Sequence, residues 1–258
     1  MELTNWRELS GRGTDLILCL DFPGGRAEAG FAELAAGVPA DACFLHIGRV
    51  GPGPLAACAD RWVAELTATG HPVRAVLGFC AGTAIATRLA DAIGMTGPPP
   101  MVVLFDAVPT TGDSLAGEFI TALESSAKYL TADELADARG LSEELAATYP
   151  DDLPRIAAAV TGRYGQLMRT VADRLSVHES LRRELIGGFT AYADYLLLAS
   201  EGGFDLATTE PLFVCSAGYE PPVEDARTIA LDVDHADLLR DPGVHKLVAD
   251  LLTGEYPW

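Results

Sequence analysis

Basic residues are scarce in this 258-residue chain: 18 Lys and Arg stand against 37 Asp and Glu, a formal net charge of −19. A surface of that sign repels phosphate backbones and argues against nucleic acid as a partner. Cysteine is sparse too. The five present (Cys19, Cys43, Cys58, Cys80, Cys215) are an odd number, widely spaced and without a C-x-x-C. That pattern supplies neither a disulfide framework nor a zinc site. No His, Cys and carboxylate cluster has metal-ligand spacing, so no metal is expected. A G-x-G-x-x-G loop and a Walker lysine are both missing, and no bound cofactor is expected. No uninterrupted apolar run approaches the roughly 18 residues a membrane helix needs. The start, Met1-Glu2-Leu3-Thr4-Asn5-Trp6, lacks the basic-then-apolar layout of a signal peptide. A cytoplasmic protein without a membrane partner is the expectation.

What is present is ordinary for a globular protein with a large core: 49% apolar and 21% charged residues. Short apolar runs at 14–20 (TDLILCL), 42–47 (ACFLHI), 73–77 and 101–105 (MVVLF) read as strands, the first of them opening the sheet. Helical stretches at 30–36, 55–69 and 83–93 separate them. Near-continuous apolar strands alternating with helices predict an α/β fold, a mostly parallel sheet covered on both faces. The alternation stops at about Asp113. Residues 113–201 read as helix after helix, with breaks at Pro150 and Pro154 and at Gly187-Gly188. Strands resume at 211–216 (PLFVCS) and 228–233 (TIALDV), and a last helix spans 241–252. The predicted organisation is therefore a core of residues 1–112 and 202–258, interrupted by a helical lid at 113–201. Lids exclude water and shape substrate pockets.

Gly78-Phe79-Cys80-Ala81-Gly82 is the most informative stretch. It joins a strand to a helix by a turn reading G-x-C-x-G, the layout of a nucleophile elbow with Cys where Ser usually stands. Glycines suit a strained turn where strand and helix approach closely. A helix beginning just past Cys80 sets amide N–H groups and a partial positive charge beside its sulfur. A thiol nucleophile needs a base, and the base needs a group that fixes its tautomer. In such elbows the chain order is nucleophile, acid, histidine. His235, in the loop after the final strand, has that order and lies at the sheet edge where the elbow emerges. His71 and His178 lie elsewhere, His245 is expected on the exposed side of the last helix, and His46 is a weak possibility. For the orienting acid, Asp106 ends the strand after the elbow helix and is favoured. Glu220, after the following strand, is the fallback. Asp232 and Asp234 flank His235 too closely along the chain. An oxyanion hole needs backbone donors. Ala81 N–H is one, and Gly25 or Gly24 in the loop after the 14–20 strand is the other, since Pro23 has no N–H.

Taken together, LCLDFPGG at 18–25, LGFCAG at 77–82, FDAVP at 105–109 and DHADLLRDPGVHKLVADLL at 234–252 resemble the thioesterases of nonribosomal peptide and polyketide synthesis. The similarity spans nearly the whole chain outside the helical block. It implies an α/β-hydrolase fold and action on acyl or peptidyl groups held as thioesters on a carrier protein's phosphopantetheine arm. Asp106 is placed as in chain-terminating thioesterase domains, whereas free-standing editing enzymes usually carry the acid after the next strand. Two departures stand out. Cys80 replaces the usual Ser, and no Gly precedes His235. A Cys nucleophile implies an acyl or aminoacyl shuttle, or release of a difficult product, with an editing hydrolase and a non-catalytic carrier-binding module as alternatives.

Charge is distributed unevenly. Residues 113–152 carry ten acids against Lys128 and Arg139, whereas 155–183 carry six arginines against Asp173 and Glu179. Such a run is commonly a solvated helix face. If it is a docking surface for an acidic acyl carrier or peptidyl carrier protein, Arg169, Arg174 and Arg182 are the candidates. The aromatics of the block (Phe119, Tyr129, Tyr164, Phe189, Tyr192, Tyr195) read as its core ahead of pocket lining.

Overall fold

A computed structural model describes residues 3–22, 30–205, 207 and 210–256. The chain divides into two compact units, Met1–Pro109 with Glu201–Trp258, and Thr110–Ser200.

The first unit is built on a seven-stranded sheet. Its strands are β1 (Trp6–Gly11), β2 (Asp15–Leu20), β3 (Ala42–Ile47), β4 (Val73–Phe79), β5 (Met101–Phe105), β6 (Leu212–Cys215) and β7 (Thr228–Ala230), in the spatial order β1-β3-β2-β4-β5-β6-β7. All neighbours run parallel except β1, which pairs antiparallel with β3. The central strands are buried on both faces, which is why their sequences are nearly unbroken apolar runs.

Alternate residues face opposite sides. Ile17, Cys19, Leu77, Phe79, Val103, Phe105 and Val214 share one cluster with α1 (Phe31–Gly37) and α8 (Pro242–Thr253). The other face meets α3 (Gly82–Gly94), which packs on β2, β4 and β5 and is joined by α2 (Leu55–Thr67). Gly78 lies on that face. A Cβ there would stand 2.6 Å from Thr83 Cα and 2.9 Å from Ala86 Cβ, so only glycine lets strand and helix come this close.

The strand expected to open the sheet, at 14–20, is its second. β1 escapes sequence reading because its WRELSG is mostly exposed and has no apolar run, as suits an antiparallel edge strand.

The second unit holds α4 (Gly112–Glu124), α5 (Ala132–Thr148), α6 (Leu153–Arg174) and α7 (Glu179–Ser200). Three of the four starts are written in the sequence. Thr111 and Thr131 accept the N–H groups of Ser114 and Glu134, and Asp152 accepts that of Arg155. Phe189 packs on Phe119 and Tyr164, at centroid separations of 6.1 and 4.6 Å. These aromatics form the unit's core, while Tyr129 is exposed. The break expected at Gly187-Gly188 does not occur, for α7 runs through it. Two helix-interior glycines cost about 1 kcal/mol each, which packing of the helix's apolar side offsets. Among the described residues no helix is long and apolar enough to cross a membrane.

Candidate active site

The carboxyl ends of β4 and β5 each carry a residue in left-handed backbone. Cys80 has φ 53° and Asp106 has φ 42°. A side chain in that region is held against about 1–3 kcal/mol of strain, so the surroundings must fix it. They do so by extending the sheet. Cys80 N–H donates to Phe105 O at 3.0 Å, and Asp106 N–H donates to Val214 O at 3.0 Å. Thr83 tightens the elbow further, its N–H and hydroxyl both donating to Cys80 O, at 3.1 and 2.6 Å. Cys80 thus stands partly exposed on a sharp turn into α3. Ala81 caps that helix, so its N–H precedes the helical ladder and is available to an outside acceptor.

Asp106 is fully buried, and its carboxylate accepts three hydrogen bonds. Ser216 N–H reaches Oδ1 at 2.7 Å, while the Ser216 hydroxyl and His235 Nδ1 both reach Oδ2 at 2.6 Å. An ionised carboxylate can only accept, so the neutral imidazole that pairs with one at this position is the tautomer with its proton on Nδ1 and a lone pair on Nε2. The His235 ring stacks on Phe79 and on Tyr219, at centroid distances of 4.9 and 4.8 Å and interplanar angles of 17° and 11°. Phe79 is the residue just before Cys80, so the imidazole lies against the strand that ends in the thiol. His235 and the partly exposed Cys80 thus both lie at the end of the sheet where β4 finishes.

Of the expected residues, the structure brings Asp106 and His235 into direct contact and sets the elbow beside them. Glu220 is exposed, as are Asp232 and Asp234, and it is Asp106 that Nδ1 meets. Gly24 and Gly25 lie outside the described residues. His245 departs from its expected exposure. It is half-buried, its Nε2 lies 3.0 Å from Leu239 O, and it occupies the space a side chain at Gly37 would need. His46 is buried, and desolvation lowers its pKa to about 4. Ser216, Phe79 and Tyr219 were not anticipated from sequence. The available signal was Ser216, which follows an apolar strand at the same edge as Asp106.

The other thiols contrast with Cys80. Cys19, Cys43, Cys58 and Cys215 are buried. Burial raises the pKa of Cys19 and of Cys43, and it pushes Cys215 up to about 11 with help from the Asp106 carboxylate. No group of three or more His, Cys or carboxylate side chains among the described residues could hold a metal.

In the helical unit the candidate docking arginines are not equivalent. Arg174 makes two bonds to the Glu134 carboxylate, at 2.8 and 2.9 Å, and a third to Tyr129 O. Arg182 pairs with Asp173 at 2.5 Å and with Glu179 at 3.6 Å. Arg169 forms no ion pair with a described residue.

Neither protein-family models nor curated proteins give a match to this chain. Solved structures do. The chain is similar over 99% of its length to holo-AB3403, a four-domain nonribosomal peptide synthetase bound to AMP and glycine, with a TM-score of 0.55 and 18% identity. It spans only 20% of that polypeptide. It is also similar to the NocB thioesterase domain, solved as a covalent complex with a fluorophosphonate nocardicin G analog, with a TM-score of 0.52 and 16% identity. That likeness covers 97% of this chain and 99% of the other. The fold is α/β-hydrolase-like, a seven-stranded, mostly parallel sheet flanked by helices.

Proposed function

We propose that the chain is a thioesterase-like enzyme that takes an acyl or aminoacyl group from the phosphopantetheine thioester of a carrier protein onto Cys80, and then transfers or releases it. The observation that carries this reading is the Asp106–His235 contact of 2.6 Å beside a left-handed cysteine at a strand–helix elbow. Its fold likeness to a thioesterase domain supports it further.

In this mechanism Nε2 of His235 takes the Cys80 proton, and the resulting thiolate adds to the thioester carbonyl. Ala81 N–H donates to the oxyanion. When the intermediate collapses, the bond from carbonyl carbon to the arm's sulfur breaks, and the leaving thiolate takes the proton from His235. Asp106 stays ionised throughout and stabilises the imidazolium.

The sulfur decides the direction of the chemistry. Acylating a serine would turn a thioester into a more stable oxoester. Acylating Cys80 exchanges one thioester for another and is close to thermoneutral, so loading is reversible and the acyl group keeps its reactivity toward a second thiol or an amine. That chemistry favours transfer between carriers over hydrolysis. Carrier docking is assigned to the 155–183 stretch, where Arg169 is the candidate whose charge no described acid offsets.

The test offers an acyl-loaded carrier and then an empty holo-carrier, with both followed by mass spectrometry. Acyl group on the second carrier is expected. Free acid alone would make the chain a hydrolytic editing thioesterase. A carrier that binds but never loses its acyl group would make it a binding module.

A further inference from the structure

The stretch after β6 touches both members of the Asp106–His235 pair. Ser216 supplies two of the three donors to the Asp106 carboxylate, its N–H at 2.7 Å and its hydroxyl at 2.6 Å. Three residues on, the Tyr219 ring stacks on His235 at 4.8 Å. The residues between make a closed turn. Tyr219 N–H donates to Ser216 O at 3.1 Å, and Gly218 takes φ 83°, the left-handed backbone that the third residue of a type II turn requires. The turn is also tied to the segment that runs from β7 into the histidine. Ala217 N–H donates to Val233 O at 2.9 Å, two residues before His235, and Leu231 N–H donates to Cys215 O at 2.8 Å.

We propose that the turn at 216–219 is the positioning element of the Asp106–His235 pair, and that Tyr219 is the residue that fixes the plane of the imidazole. This rests on the reading of His235 as the base for Cys80. One hydrogen bond at Nδ1 leaves the ring able to tilt about that nitrogen, which would sweep Nε2 through an arc. Stacking on Phe79 from the elbow strand and on Tyr219 from the turn removes that freedom. The tyrosine also presents a π-face to the imidazolium that forms when Cys80 is deprotonated, an attraction the neutral ring lacks. Tyr219 is only half-buried, so its ring is not spent on filling the core. Misplacing a reacting group by about 1 Å can cost on the order of a hundredfold in rate. A tilt held in part by Phe79 and Asp106 should cost on the order of tenfold.

The experiment compares Tyr219→Ala, Tyr219→Phe and Ser216→Ala with the unaltered chain and with Cys80→Ala. Turnover of an acyl-pantetheine thioester gives kcat and KM, and proton NMR reads the His235 Nδ1–H resonance. Tyr219→Ala is expected to lower kcat about tenfold with KM held, and to broaden the Nδ1–H signal by exchange. Tyr219→Phe, which keeps the ring, is expected to restore most of both. Ser216→Ala should shift the Nδ1–H resonance by removing one donor to Oδ2. If Tyr219→Ala loses its fold, Tyr219→Leu supplies apolar volume without a ring plane. An alanine or leucine variant with unchanged kcat and an unchanged Nδ1–H signal would overturn the proposal, as would a phenylalanine variant no better than alanine. Full activity in Cys80→Ala would instead overturn the nucleophile reading, and the NMR comparison would still judge the turn because it needs no turnover.

Discussion

Replacing Asp106 with asparagine keeps the shape of a fully buried side chain and changes only what its two terminal atoms can do. The native carboxylate accepts from Ser216 N–H, the Ser216 hydroxyl and His235 Nδ1, at 2.7, 2.6 and 2.6 Å. An amide has one accepting oxygen and one nitrogen that only donates. If its NH2 faced Ser216 N–H, two buried donors would oppose each other, at a cost of about 1–3 kcal/mol. The amide oxygen therefore takes that position, and the NH2 faces the serine hydroxyl and Nδ1. The hydroxyl can rotate to accept. The imidazole can accept at Nδ1 only by moving its proton to Nε2, where it no longer serves as a base toward Cys80. General-base catalysis is worth about 10²–10⁴-fold, and loss of that order is expected in the rate of Cys80 acylation. Stability should change far less, because losing a charge-assisted bond of about 1.5–3 kcal/mol is offset by no longer burying a charge. Single-turnover acylation by an acyl-pantetheine thioester, read by intact mass beside urea unfolding, separates the two effects. An asparagine variant that acylates within about threefold of the native rate would refute the tautomer reasoning.

Other consequences follow from the same structure. Iodoacetamide at neutral pH should label Cys80 well before the other four cysteines, because those are buried and burial raises the pKa of Cys19, Cys43 and Cys215; peptide mapping showing Cys19 or Cys215 modified first would contradict this. Gly78→Ala places a Cβ 2.6 Å from Thr83 Cα, so α3 must shift; a loss of about 1–3 kcal/mol in urea unfolding is expected, and an unchanged midpoint would show that the strand–helix contact yields freely. His46 takes up a proton near pH 4 when folded, against 6.5 for the ordinary side chain. Between those values the unfolded chain binds more protons, so this residue's contribution to stability is full above pH 6.5 and falls as pH drops toward 4, by about 3 kcal/mol. His46→Leu should flatten that part of the stability–pH curve relative to the native chain, and parallel curves would refute the assignment.

The central sheet was legible because strands buried on both faces must be apolar throughout, and 42–47 and 101–105 match β3 and β5 residue for residue. β1 was not, since an edge strand with an exposed face carries WRELSG and leaves no apolar signature. Gly187-Gly188 misled in the opposite direction, because local propensity is weak against the packing of a 22-residue helix. At the site, the Asp106–His235 contact could be named from strand ends and chain order, and the turn at Cys80 from its flanking glycines. Ser216 and Tyr219 could not, because hydrogen bonding to a carboxylate 110 residues away and stacking on a ring depend on how β5, β6 and the His235 loop converge.

The central functional claim is that the acyl group passes through the sulfur of Cys80. Intact-mass measurement of the chain after brief exposure to an acyl-loaded carrier, followed by peptide mapping, tests it directly. An adduct of the acyl mass is expected on the peptide containing Cys80, absent in Cys80→Ala and discharged by an added thiol. The same adduct accumulating in Cys80→Ala, or mapping to another residue, would contradict it.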